Sequence, residues 1–79
     1  MKGKYTTNTV ELRKRMLEKG LVKICDLSKA TGVNRDTLGT ILSGKAQPSA
    51  NVMIKLAEAL DMTPEMAGEI FFSVNLPVA

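Results

Sequence analysis

The sequence predicts an all-α domain of five short helices, and three observations lead there. Aromatic residues are scarce, with one Tyr, two Phe and no Trp, whereas a β-sandwich draws on β-branched and aromatic side chains. Apolar residues recur at helical spacing, as in Val52, Met53, Leu56, Ala57 and Leu60. Between the periodic segments stand residues that start or stop helices: Asn8, Gly20, Gly32, Asn34, Gly44, Ser49 and Thr63. A chain of 79 residues makes one small domain, able to bury about 60–65% of the surface its unfolded form exposes.

The first helix is expected over about Thr9–Lys19. Asn8 and Glu11 stand at capping-box spacing before it and Gly20 stops it. Leu12 and Met16 mark its apolar seam, with Leu17 beside them, and Arg13, Lys14 and Arg15 read as a solvated basic run. The second helix spans roughly Ile24–Thr31, with Leu27 inward, Ser28 small enough for close approach, and Gly32 as the turn. The third begins after the N-cap Asn34 and ends near Ser43, before Gly44. The "KAQP" segment turns the chain, and Ser49 caps a fourth helix over Ala50–Leu60. The fifth opens with "TPE": Thr63 as N-cap, Pro64 at the first helical position and Glu65 against the helix dipole. It should reach about Phe72, so that residues 1–72 form the domain and 73–79, "SVNLPVA", a short apolar tail.

Several function classes find no support. There is no His, no metal-ligand spacing, no phosphate-cradling glycine loop and no nucleophile beside an evident base. The sequence therefore suggests no enzyme, and no cofactor or metal is expected. The lone Cys25 cannot form an internal disulfide, and it reads as a small, partly buried helix residue more readily than as a reactive thiol. Without a signal-peptide pattern, a cytoplasmic setting is expected. No apolar run approaches the roughly 18 residues that cross a bilayer, so no membrane association is expected. The formal charge of +3 is compatible with nucleic acid but does not by itself decide for it.

The third helix is the informative segment. At about 100° per residue, Leu38, Ile41 and Leu42 cluster on one side, while Arg35, Asp36, Gly39, Thr40 and Ser43 share a sector of about 140° on the other. Gly39 is thereby placed on the polar face, where a missing side chain admits close approach by another surface. Two short helices joined by a turn at "TGVN", the second turned outward, make a helix-turn-helix arrangement, whose second helix enters the DNA major groove. Arg35 can place two donors on guanine, Asp36 can accept from cytosine N4, and Thr40 can bond a base or pack on a thymine methyl. Asp36 equally suits simple stabilisation of the helix start.

The stretch "LSKATGVNRDTLGTILSGKAQPSANVMIKLAEALDMT" resembles the phage-repressor/Cro-like (XRE-type) helix-turn-helix family. Leu27, Ser28, Gly32, Val33, Leu38 and Ile41 match its paired-helix positions, "SGKAQPS" its turn into helix four, and "KLAEALDM" its helix-four ending. The resemblance covers most of residues 9–70. It implies a lambda-repressor-like five-helix fold with the helix-turn-helix at helices two and three. It also implies that Arg35, Asp36 and Thr40 read bases, with Gly39 and Ser43 at the edge of that interface. Phosphate contacts would come from Lys23, Asn34, Lys45, Gln47, Ser49 and Asn51, near helix starts and the loop after helix three. The family commonly has Gln at the first residue of helix two, bonding a phosphate, and this sequence has Ile24. Either Lys23 substitutes for that contact or the backbone anchoring is weaker.

A domain this small reads few base pairs alone, and specific affinity normally comes from two-fold dimers. Ile70 and Phe71 fit the core, whereas Phe72, Val74 and Leu76 alternate like a short strand and are the candidate dimer or partner interface. Pro77 would limit such a strand at its end. The leading expectation is a sequence-specific DNA-binding regulator, a repressor acting as a homodimer on double-stranded DNA. The resemblance suits a phage or mobile-element regulator, with no small-molecule ligand expected. The alternative is a protein-binding antirepressor or antitoxin on the same fold, towards which Ile24, Asp36 and the apolar tail incline.

Overall fold

Side chains at helix starts accept hydrogen bonds from the free N–H groups of the first turns, and this sets the boundaries. In the computed structural model, which describes residues 5–74, the helices are α1 (Thr9–Glu18), α2 (Ile24–Thr31), α3 (Arg35–Leu42), α4 (Ala50–Ala59) and α5 (Pro64–Phe71). Asn8, Asn34, Ser49 and Thr63 accept from the backbone N–H of Glu11, Asp36, Val52 and Met66. For α2 the cap works in reverse: the Asp26 carboxylate accepts from the backbone N–H of Lys23, 3.4 Å away.

The helix ends divide into two kinds. Gly20, Gly32 and Gly44 carry φ of 76°, 77° and 81° after α1, α2 and α3, a left-handed conformation that costs glycine little. No glycine follows α4. There Asp61 takes φ 52°, and Arg15 of α1 bonds the free carbonyls, Nε to Leu60 O and Nη2 to Asp61 O, both at 2.8 Å. Lys19 Nζ lies 2.6 Å from Asp61 Oδ2, and its hydrogen bond and charge hold that carboxyl below its usual 3.8. Arg13 likewise donates to Leu42 O at 3.2 Å, capping the end of α3. The run from Arg13 to Arg15 is therefore only partly the solvated face its composition suggests, because two of its three side chains cap other helices.

One core joins the five helices: Leu12 and Met16 of α1, Leu27, Val33, the α3 triplet Leu38, Ile41 and Leu42, then Leu56, Leu60, Ile70 and Phe71. Leu17 is not beside this seam but 61% exposed, since the buried stripe of α1 is only as wide as the Leu12–Met16 pair. Val52 and Met53 pack against the core while remaining half-buried.

Two short strands close the chain ends, β1 (Tyr5–Thr6) and β2 (Ser73–Val74), paired antiparallel with Tyr5 opposite Val74 and Thr6 opposite Ser73. The strand character expected after α5 is present at Ser73–Val74, but its partner is Tyr5–Thr6 of the same chain. Asn8 N–H donates to Ile70 O at 2.6 Å, continuing the closure, and the Tyr5 and Phe72 rings meet edge to face at 5.6 Å. Leu76 and Pro77 lie outside the described residues. Among the described residues no helix is long and apolar enough to cross a membrane.

Candidate nucleic-acid interface

The turn between α2 and α3 is held by hydroxyl groups as well as by glycine. Gly32 turns the chain at positive φ, and Val33 then drops into the core at 7% exposure. Ser28 Oγ donates to Val33 O at 2.6 Å, and Thr31 Oγ1 donates to Leu27 O at 2.8 Å while accepting from Val33 N–H at 3.1 Å. Ser28 thus does more than permit close approach; its hydroxyl fixes the angle at which α3 leaves the turn. A serine at that spacing signals smallness in a sequence, whereas the bond depends on where Val33 is placed.

With Leu38, Ile41 and Leu42 buried, α3 is anchored through one face. Arg35, Asp36, Thr40 and Ser43 of the other face are exposed and Gly39 is half-buried. These five residues come together, with Lys45 and with Ile24 and Cys25 from the start of α2, around an open groove of about 830 Å³. A Cβ on Gly39 would meet nothing within 4 Å, so no packing inside the chain demands the glycine. Thr40 Oγ1 donates to Thr37 O at 2.8 Å and Ser43 Oγ to Thr40 O at 3.1 Å. Both hydroxyls therefore turn their hydrogens to the helix and keep lone pairs for an incoming donor.

The charges are distributed unevenly. The three ion pairs among the described residues are Lys14–Glu11, Arg15–Glu18 and Lys19–Asp61, all on α1 and the end of α4. Lys23, Lys29, Arg35 and Lys45 belong to none of them. Among the described residues these four cations of the α2–α3 side have no ion-pair partner, and clustered basic charge of that kind attracts a phosphate backbone.

The residues expected to meet phosphate take different places. Lys23 is exposed at the cap of α2, and Lys45 lines the groove. Asn34 Oδ1 accepts from Asp36 N–H at 2.7 Å and Ser49 Oγ from Val52 N–H at 3.3 Å. Capping uses their acceptors and leaves the Asn34 amide hydrogens and the Ser49 hydroxyl hydrogen at helix starts, where anions are favoured. Asn51 is exposed in the first turn of α4. Gln47 differs, because its amide bonds Thr7 and the Phe71 carbonyl. Of the interface candidates, Phe72 is 49% exposed and Val74 lies in β2. Ile24, which the sequence marks only as a departure at a phosphate-contact position, and Cys25, expected as a partly buried helix residue, both line the groove. Ile24 also packs against the core, a reason for an apolar side chain where a polar one is common.

A tight helix pair, the first anchored by Leu27 and the second offering a polar face beside cations outside the ion pairs, defines a helix-turn-helix protein. The family model of the Cro/C1-type HTH DNA-binding domain matches residues 11–65, from α1 into the first turn of α5, and the chain belongs to that family. The membership makes it a DNA-binding transcription regulator by class. No curated protein and no solved structure gives a significant match.

Proposed function

We propose that the chain is a sequence-specific repressor that binds a palindromic operator as a homodimer, with α3 in the major groove. The observation that carries this reading is the groove on α3, where an unpaired Arg35 stands with Asp36, Gly39, Thr40 and Ser43 and is edged by Lys45. An eight-residue helix is about 12 Å long, the scale of a major groove. Arg35 reads guanine, Asp36 accepts from cytosine N4, and Thr40 and Ser43 serve neighbouring positions. Lys23, Lys45 and the helix starts at Asn34, Ser49 and Asn51 hold phosphates and set the register without reading sequence. A protomer of 38 × 24 × 21 Å is of the size that, paired about a two-fold axis, sets two reading helices roughly 34 Å apart. Phe72, Val74 and Leu76 are the proposed seat of that pairing. Bound in the cytoplasm to its operator, such a dimer obstructs polymerase.

Selection from a random duplex library tests the reading and is expected to enrich one motif with two-fold symmetry. On that duplex Arg35→Ala should cost about 1–3 kcal/mol and relax one base position. Full affinity in Arg35→Ala would remove the base-reading assignment. The apolar wall of Ile24 and Cys25 is the one feature of the groove that favours an antirepressor or antitoxin docking on protein. Failure to enrich any duplex decides for that second reading.

A further inference from the structure

We infer that Gln47 is a positioning residue, holding the α3–α4 turn and its Lys45 against the paired chain ends, and not a ligand of DNA phosphate. The inference rests on the DNA-binding reading above. Lys45 and Ala46 leave α3 with their N–H groups both donating to Thr40 O, at 2.9 and 3.2 Å. That fixes the turn on the side of the reading helix. On its other side, the Gln47 side chain is the bond between three segments far apart in sequence. Its Nε2 donates to Phe71 O at the end of α5, and its Oε1 accepts from Thr7 Oγ1 at 2.8 Å. The orientation of the amide is forced, because a carbonyl oxygen only accepts and must face the NH₂ group.

The two partners belong to the closure of the chain ends. Thr7 follows β1 directly, and Asn8 beside it donates to Ile70 O. Phe71 precedes the turn into β2. Between β1 and the α3–α4 turn lies a small hollow of about 220 Å³, lined by Tyr5, Thr6 and Thr7 on one side and Gly44 through Gln47 on the other. Lys45 lines both this hollow and the groove on α3. The Lys45 backbone therefore stands between α3 and the β1–β2 strands, and Gln47 ties the turn to the second of these. An ordered chain closure, communicated through one amide, sets where the backbone-binding turn stands relative to α3.

Two near-isosteric variants test this from opposite ends, Gln47→Met and Thr7→Val, with helical circular dichroism confirming the fold. In the chain alone, each should speed hydrogen exchange at the Asn8 amide. On the duplex enriched by the unaltered chain, Thr7→Val should lose about fivefold in affinity, the equivalent of its one hydrogen bond, and Gln47→Met, which removes two, at least as much. The slope of log K against log salt should stay unchanged, and the double variant should be no weaker than Gln47→Met alone. A salt slope reduced by about 1 in Gln47→Met, with Thr7→Val binding normally, would make Gln47 a phosphate ligand and overturn the proposal. Unchanged affinity in both variants would overturn it as well, leaving Gln47 as a clasp of the fold alone. If the unaltered chain enriches no duplex, the DNA reading fails and the positioning role with it, while the exchange measurement still reports whether the clasp exists.

Discussion

Gly39 sits inside α3, where alanine is the better helix former by about 1 kcal/mol, and its Cα faces open space on the groove side. No packing among the described residues calls for the glycine, so on the proposed DNA-binding reading it serves the close approach of the duplex. Gly39→Ala should therefore stabilise the free protein by up to about 1 kcal/mol, a rise in Tm of roughly 4–8 °C for a domain of this size. The same methyl should obstruct close approach and weaken binding to the enriched duplex by about tenfold or more. Thermal denaturation and fluorescence anisotropy on one preparation decide it; a stabilised variant with undiminished affinity would show that Gly39 has no part in recognition. Residues such as Gly39, Arg35 and Thr40 were legible because an outward helix position follows from periodicity alone. Gln47 was not, since its partners lie 40 and 24 residues away and no local pattern connects them.

Among the elements, α1 illustrates how a helix can be found while its surface is misread. Its start at Asn8 and its seam through Leu12 and Met16 follow from capping and spacing. The role of Arg15 does not, because it depends on α4 ending against α1. With Nε and Nη2 on two free carbonyls and its side chain 22% exposed, Arg15 closes the end of α4, where no glycine stands as it does after α1, α2 and α3. Arg15→Met should lower stability by about 1–2 kcal/mol, since hydrogen bonds from a charged donor, one of them here part-buried, are among the stronger ones. Lys14→Met removes only an exposed pair with Glu11 at 3.7 Å and should cost less than about 0.5 kcal/mol. Urea denaturation of the two variants checks the contrast, and equal losses would refute the capping role.

At the scale of the molecule, the arrangement separates two faces. The ion pairs among the described residues lie on α1 and the end of α4, while Lys23, Lys29, Arg35 and Lys45 around α2 and α3, like Arg13 and Lys55, join none of them. The chain ends meet in the β1–β2 pair, with the half-exposed Phe72 ring against Tyr5. If this closure also carries dimerisation, sedimentation with the enriched duplex should give two chains per duplex. Phe72→Glu should shift that stoichiometry towards one and reduce affinity by about tenfold or more, since a carboxylate buried between apolar surfaces is disfavoured. Unaltered stoichiometry in Phe72→Glu would place the dimer contact elsewhere.

What the sequence by itself determined are the properties that depend on neighbours within a helical turn: five helices, the N-caps of four of them, most of the inward faces, the helix-turn-helix and the outward sector of α3. Capping bonds reach two or three residues and apolar periodicity reaches one turn beyond, so both are written in local order. Only the tertiary structure decided which groups from distant segments meet. It put Ile24 and Cys25 beside Arg35, gave Arg13 and Arg15 to the ends of α3 and α4, and paired the strand after α5 with Tyr5–Thr6. It also engaged Gln47 between Thr7 and Phe71. Those contacts arise when the buried faces pack on one core, and the polar side chains then bond whichever free carbonyl that packing brings within reach.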